Sequence, residues 1–198
     1  HGGEFLVTEA GFGADMGAER FFNIKCRTSG MTPDAAVVVA TVRALKVHSG
    51  NHRIVAGKDL PPALLEENPE EVHAGAANLR KQIENMRLHG VSPVVCINAF
   101  PTDHDSEHAA IREIAESMGA RAAVSTHFVD GGRGAAELAE AVAEAAEEPG
   151  DFQLLYPDDA PLREKIETIA TQIYGADLLY KWKSAHAEGG FPFVKWQT

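Results

Sequence analysis

An α/β fold built on a largely parallel sheet is predicted by three observations. Short apolar runs alternate with longer amphipathic stretches along the chain. Two of the runs, Val37-Val38-Val39 and Val94-Val95-Cys96-Ile97, lack any polar alternation, as strands buried on both faces do. Glycine-rich and Asn/Asp-bearing loops stand where such strands would hand over to helices. The expected arrangement is three-layered, with the sheet between two layers of helices.

The elements follow in order. Phe5-Leu6-Val7-Thr8 reads as a short buried strand running into a glycine-rich loop, and Ala35 to Ala44 contains the next strand. Residues 49–67 carry Gly50, Gly57, Pro61 and Pro62 and read as a loop. Asn68-Pro69-Glu70-Glu71 is a helix start, since Asn caps, Pro fits the first turn and acids favour the positive end of the helix dipole. Val72, Ala76, Leu79, Ile83 and Met86 continue it as one apolar face, and Gly90 stops it. Val94 to Asn98 is a strand, Ile111, Ile114, Ala115 and Met118 mark a helix, and Ala122 to Ser125 is a further strand. Gly131-Gly132-Arg133-Gly134 leads into an Ala/Glu-rich helix ending near Pro149. Phe152 to Tyr156 reads as a fourth main strand, followed by a helical stripe of Leu162, Ile166, Ile169 and Ile173.

Composition narrows the function. The 198 residues hold 18 Lys+Arg against 29 Asp+Glu, a net charge of −11, which argues against nucleic acid or an anionic membrane as the main partner. Hydrophobic residues make up 44% and charged residues 24%, close to an ordinary soluble domain. Two cysteines, Cys26 and Cys96, are too few for a disulfide scaffold and favour a reducing compartment. No apolar run approaches the ~20 residues that span a bilayer, and no secretory leader is visible at the N-terminus. The expectation is a cytoplasmic protein acting on small molecules.

In parallel sheets ligands bind at the carboxyl ends of the strands, which directs attention to three loops. In Thr8 to Gly17, glycines Gly11, Gly13 and Gly17 permit close backbone approach to a phosphate or carboxylate, and Glu9 and Asp15 can orient water or hold Mg²⁺. A tight turn with two solvated acids is the competing reading. In the second loop, Asn98 and Asp103 can read the edge of a base and Phe100 can stack on its face, with Pro101 and Thr102 between them. Alternatively, Asn98 ties down the loop, Phe100 is core, and Asp103 or Asp105 caps the next helix. The third loop carries Ser125, His127 and Asp130 ahead of its glycines, and a lone His127 is more often a loop or core residue than a catalyst. Other signals are thin. Cys26, between Lys25 and Arg27, can have a lowered pKa or be a packed thiol. His104 and His108 are spaced i, i+4, but solvated helix residues are the better reading and no metal site is predicted. Trp182 and Trp196 are expected to pack or anchor the tail.

Together, the segments VTEAGFGADMGAERFFNIKCR, VVVATVRALKVH, NLRKQIENMRLHGVSPVVCINAFPTD and FQLLYPDDAPLREKIETIATQIYGAD resemble the formate–tetrahydrofolate ligase (formyltetrahydrofolate synthetase) family. The resemblance runs from residue 5 to about 177 and makes residues 1–177 a ligase-like core, with 178–198 a divergent tail. It implies an ATP-dependent carbon–nitrogen ligase of one-carbon metabolism. ATP phosphorylates formate, and N10 of tetrahydrofolate attacks the formyl phosphate to give 10-formyltetrahydrofolate, ADP and phosphate. It further implies a fold related to P-loop NTPases, ATP with Mg²⁺, and tetrahydrofolate as substrate. Glu9, Asp15 and the glycines of the first loop would then lie on the phosphate or formyl-phosphate side. Asn98 to Asp103 would lie near the adenine, with Ser125 and His127 completing the base side.

The sequence contains no Gly-x-x-x-x-Gly-Lys-[Ser/Thr] phosphate loop, and Gly3 is followed at once by Glu4-Phe5-Leu6. A truncated and internally shortened family core is therefore expected. Its readings are a ligase, a nucleotide- or anion-binding remnant, a small hydrolase using Glu9, Asp15 or His127, or a self-associating chain whose newly exposed surfaces pair as a homo-oligomer.

Overall fold

A computed structural model describes residues 5–55, 57–176, 180–181 and 193–194. It divides into two compact units, one of Gly30–Gln153 and one of the described residues before and after that span.

The Gly30–Gln153 unit holds the parallel sheet. Strands β1 (Ala35–Ala40), β2 (Ser92–Asn98) and β3 (Arg121–Ser125) lie in the order β1-β2-β3. All pairings are parallel, with Val38 opposite Val95 and Val95 opposite Ala122. The connecting helices are α1 (Val42–His48), α2 (Pro69–Ala74), α3 (Ala76–Leu88) and α4 (Asp105–Ser117). After β3 come a short helix α5 (His127–Asp130), a 3₁₀ turn and α6 (Ala136–Ala146). Helices α3 and α4 pack on each other and on β2, while α6 packs across all three strands. Val94, Val95 and Ile97 of the central strand are fully buried, as are Ile83 of α3 and Ile111 and Ile114 of α4. Burying an aliphatic side chain of this size contributes roughly 1.5–3 kcal/mol. The sheet is thus parallel and flanked by helices. Contrary to the expectation from its apolar run, β1 is not buried on both faces. Val38 and Ala40 are buried while Val37 and Val39 are exposed, the strand standing at the end of the sheet order among the described residues.

In the other unit, helical residues run from Ala14–Arg20 through a π-helical Phe21–Cys26 to Arg27–Ser29. A second helix, Leu162–Thr168, continues into a π-helical Ile169–Ile173. Asn23 and Arg27 hold the segment that precedes it. The Leu155 amide donates to Asn23 Oδ1 at 3.0 Å, and Arg27 donates to the Tyr156 carbonyl at 2.6 Å and pairs with Asp158. Tyr180–Lys181 and Phe193–Val194 form a two-strand antiparallel ladder. Trp182, Trp196 and most of the expected 178–198 tail lie outside the described residues.

Several expectations are corrected. Phe5 to Thr8 form no strand, and Leu6 and Val7 are 85% and 88% exposed. A parallel strand needs a neighbour for its ladder bonds, and among the described residues these have none. Phe152 to Tyr156 forms no strand, because the Gln153 amide bonds to the His89 carbonyl at 2.9 Å and the Leu155 amide to Asn23. The single helix expected from Pro69 onward is two, α2 and α3, broken at Gly75, where a Cβ would run into the Leu45 carbonyl of α1. Of the two readings of Cys26 the packed thiol is the one found, since it is buried and burial pushes the thiol up.

Two buried polar clusters hold α1 and α2 in place. Lys46 of α1 and Glu107 of α4 are each only 1% exposed and pair at 2.6 Å. Lys46 also donates to the Glu66 carbonyl at 2.5 Å. Glu107 accepts from the backbone amides of Asn68 and His104, both at 3.0 Å. Separately, the Glu71 carboxylate bonds to His52, Asn51 and Ser49 at 2.8, 2.9 and 3.1 Å. Burial pushes Glu71 up, but these three hydrogen bonds outweigh it and hold it below the ordinary 4.5.

Lys46→Met should cost about 3–5 kcal/mol, because it leaves Glu107 buried and unpaired, whereas Lys46→Met/Glu107→Leu should recover most of that loss. Urea denaturation of the single and double variants checks this. Glu71 has a depressed folded pKa, so its stabilisation is present above pH ~4.5 and lost as pH falls through the folded value. Unfolding curves between pH 7 and 3 should show that loss, and Glu71→Gln should flatten it.

Candidate functional site

The carboxyl ends of β2 and β3 bring together seven of the residues singled out from the sequence. Asn98 closes β2 in register with Ser125, which closes β3. The Ala99 amide donates to the Ser125 carbonyl at 3.1 Å, so the two loops leave the sheet side by side. Phe100, Pro101, Thr102 and Asp103 then turn back toward α4, with the Asp103 amide bonded to the Phe100 carbonyl at 2.9 Å. Pro101 and Thr102 are exposed at the tip, and Asn98 and Phe100 are half-buried.

Asp103 faces inward. Its side chain is 2% exposed, accepts from the Phe100 amide at 2.9 Å and faces His108 Nε2 at 3.4 Å. The carboxylate shapes the turn, as an Asx residue does. The helix cap is His104, whose amide is held by Glu107. His108 is thus engaged with Asp103, and among the described residues no group of three His, Cys, Asp or Glu is arranged around a metal ion.

Ser125 and His127 are joined, Oγ to Nδ1, at 2.8 Å. A serine bonded to a histidine is the pairing that nucleophilic catalysis uses. Here, however, Ser125 is fully buried and its hydroxyl also bonds to the Cys96 thiol. Burial holds that thiol above its ordinary 9.0. A hydroxyl closed off in this way orients His127, which is exposed, and does not meet a substrate carbonyl. The rest of the third loop is closed on itself, with Thr126 Oγ1 donating to Asp130 at 2.7 Å and the Thr126 amide to the Gly134 carbonyl at 2.9 Å.

One residue of this region escaped the sequence reading. Arg43, in the first turn of α1, lays its guanidinium over Phe100, 4.1 Å from the ring centroid, and donates to Thr102 Oγ1 at 2.9 Å. The available signal was positional: α1 begins directly after β1, at the same carboxyl edge. Elsewhere on this unit, an open groove of about 540 Å³ lies beside Glu116, Arg121, Glu144 and Glu148. Its arginine, Arg121, pairs with both Glu144 and Glu148.

The first loop lies in the other unit. Gly13, at φ +73°, ends the loop and starts the helix Ala14–Arg20, its carbonyl accepting from the Met16 and Gly17 amides at 3.0 and 2.6 Å. Gly17 is buried where the backbone folds over it, and a Cβ there would run into the Gly11 carbonyl. Asp15 is half-buried and bonds to the Tyr174 hydroxyl. Burial foremost, then the Asp15 charge, pushes Tyr174 above its ordinary 10.0. Glu9 is exposed.

The family model for formate–tetrahydrofolate ligase matches residues 1–188. A formate–tetrahydrofolate ligase of Saccharopolyspora erythraea is 74% identical over 174 residues, covering 88% of this chain and 31% of that protein. Formate–tetrahydrofolate ligase 3 of Rubrobacter xylanophilus is 61% identical over 198 residues, covering 95% and 35%. The Cutibacterium acnes ligase is 61% identical over 175 residues, covering 88% and 31%. The chain thus spans about a third of the length of the curated relatives it matches.

Gly17→Ala should loosen the first loop, with exchange of the Met16 and Gly17 amides rising about tenfold or more, because overpacking a closed site costs about 1–3 kcal/mol. Gly132→Ala has open space around it and should leave those amides unchanged. Hydrogen exchange followed by mass spectrometry reads both.

Proposed function

The chain belongs to the formate–tetrahydrofolate ligase family, and from that premise we propose that it carries part of an ATP-dependent ligase that forms 10-formyltetrahydrofolate from formate and tetrahydrofolate. The observation that carries this reading is the 74% identity that extends over 88% of the chain. The convergence of the second and third loops at the carboxyl edge supports it, since α/β sheets bind their ligands there.

Asn98, Phe100, Pro101 and Thr102 form the adenine side, with Ser125 and His127 beside them. Asp103 acts from within, fixing the turn that presents Phe100. Gly11 and Gly13 bring backbone amides to the phosphate or formyl-phosphate side. Gly17 leaves room for the loop to fold over the helix start, its own amide being spent on the Gly13 carbonyl, and Glu9 and Asp15 stand with them. The described residues build no all-protein metal cage. One or two carboxylates sharing Mg²⁺ with the ATP phosphates is the binding mode this donor set fits, and the ion would neutralise phosphate charge there. The fold is read as related to the P-loop NTPases, although the sequence contains no Gly-x-x-x-x-Gly-Lys-[Ser/Thr]. Nucleotide binding without turnover is the second reading, favoured by the two base-side loops that leave one sheet edge side by side.

The deciding assay is ATP- and formate-dependent synthesis of 10-formyltetrahydrofolate by the purified chain, read as the methenyl form after acid, against a Glu9→Ala/Asp15→Ala control. Turnover above the control supports the ligase, and its absence from folded protein leaves the binding reading. Asn98→Ala and Phe100→Ala should each weaken ADP binding about tenfold, the loss of one stacking or hydrogen-bonding contact of about 1–3 kcal/mol. Unchanged titration calorimetry for both would remove the base-side assignment.

A further inference from the structure

We infer that Lys25 supplies the positive charge that receives a phosphate or acyl-phosphate group at the loop of residues 8–17. This rests on the phosphate-side reading of that loop given above.

The Lys25 ammonium is held in place without being neutralised. Nζ donates to Thr8 Oγ1 at 3.3 Å and lies 4.6 Å from the centroid of the Phe21 ring. Hydroxyl and ring together fix it where the loop opens. An ammonium has three N–H donors. Thr8 takes one, which leaves two for an incoming anion. Lys46, Lys81 and Arg27 each pair with a carboxylate, whereas Lys25 forms no ion pair among the described residues. A lysine binds phosphate as a compact point charge, with no need for the planar fit of an arginine.

The acids of the same stretch do not cancel that charge. Glu9, Asp15 and Glu19 are matched one for one by Arg20, Lys25 and Arg27, in a chain of net charge −11. Glu19 is buried and accepts from Asn23 at 3.3 Å, and burial pushes its carboxyl above the ordinary 4.5. Asp15 is engaged by the Tyr174 hydroxyl. That leaves Glu9 as the exposed acid of the three. Arg20 brings a second cation to the loop. Its Nε donates to the Met16 carbonyl at 3.2 Å, and its Nη2 would lie 3.9 Å from a Cβ at Gly11. An anion arriving here meets an ammonium already fixed, so less side-chain freedom is lost on binding.

The test uses the whole chain, labelled with ¹³C at the lysine ε carbons, and inorganic phosphate as the probe, in EDTA and separately with Mg²⁺. Lys58, exposed and with no ion pair among the described residues, is the internal reference. In EDTA the Lys25 signal should shift saturably with phosphate while the Lys58 signal does not. Phosphate affinity in each variant is read by ³¹P NMR. Lys25→Met should weaken it about tenfold, the loss of one charge-assisted hydrogen bond, and Lys25→Arg should recover part of that. Thr8→Val releases the ammonium without removing it and should weaken phosphate about threefold. Glu9→Gln should tighten it, because an opposing charge is gone. The Met16 and Gly17 amides, bonded to Gly13 and not to Lys25, report the fold of the loop by hydrogen exchange. Weakening by Lys25→Met that comes only with faster exchange at those amides overturns the inference, as does unchanged affinity. Binding that needs Mg²⁺ and is lost in Glu9→Gln assigns the counter-charge to the metal ion and overturns it as well. Phosphate that binds under neither condition removes the phosphate-side reading itself.

Discussion

The Lys46–Glu107 ion pair is the constraint on which the sheet's carboxyl edge depends. Two charges withdrawn from water carry a penalty of several kcal/mol each, and only a close pair with its remaining hydrogen bonds filled offsets it. Here the lysine finds the Glu66 carbonyl and the glutamate finds the Asn68 and His104 amides. These bonds end on two further pieces of chain, the segment of residues 66–68 and the start of α4. Helix α1, the segment leading into α2, and the start of α4 are fixed by one buried charge centre. An apolar contact of similar area would hold them together but would not specify which backbone amide faces which oxygen, because hydrophobic burial is not directional.

That centre also fixes the far end of the loop between β2 and α4. The loop begins on the fully buried central strand and ends at the His104 amide held by Glu107. Asp103 closes the turn inside it. With both ends and the turn fixed, the remaining freedom lies in exposed side chains. Polar residues at this edge accordingly divide by direction: Asp103 and Ser125 face in and set geometry, while Thr102 and His127 face out.

The sheet and its helices were legible in the sequence because burial on both faces leaves a plain mark, an unbroken apolar run such as Val94 to Ile97. The capping signal at Asn68-Pro69 was equally local, and Asn68 does cap α2 through the Glu71 amide. The misread elements all depended on distant partners. Phe152 to Tyr156 has strand-like composition, yet the Asn23 side chain and the His89 carbonyl take its amides. The break at Gly75 is set by the Leu45 carbonyl, thirty residues upstream. The loops that converge at the carboxyl edge were found by position and by likeness to a family. The inward turn of Asp103 and the stacking of Arg43 on Phe100 were not, since each is a choice of side-chain direction that only packing makes.

Charge sets the last condition on the proposed chemistry. The chain carries −11 overall, and the two acids proposed on its phosphate side, Glu9 and Asp15, are themselves anionic. A carboxylate near a phosphate is repelled by it unless a cation lies between them, at about 4 kcal/mol for unit charges 4 Å apart at an effective dielectric of 20. Backbone amides at Gly11 to Gly17 contribute partial charges only. Arg43 is committed to Phe100 and Thr102 at the base side, so it is not the phosphate counter-charge. Binding of a nucleotide tail beside these acids therefore requires a cation, either a divalent ion or a basic side chain at the loop such as Lys25, which donates to Thr8 Oγ1 at 3.3 Å. The base side has no such requirement, because stacking and hydrogen bonding to a neutral ring work without counter-charge.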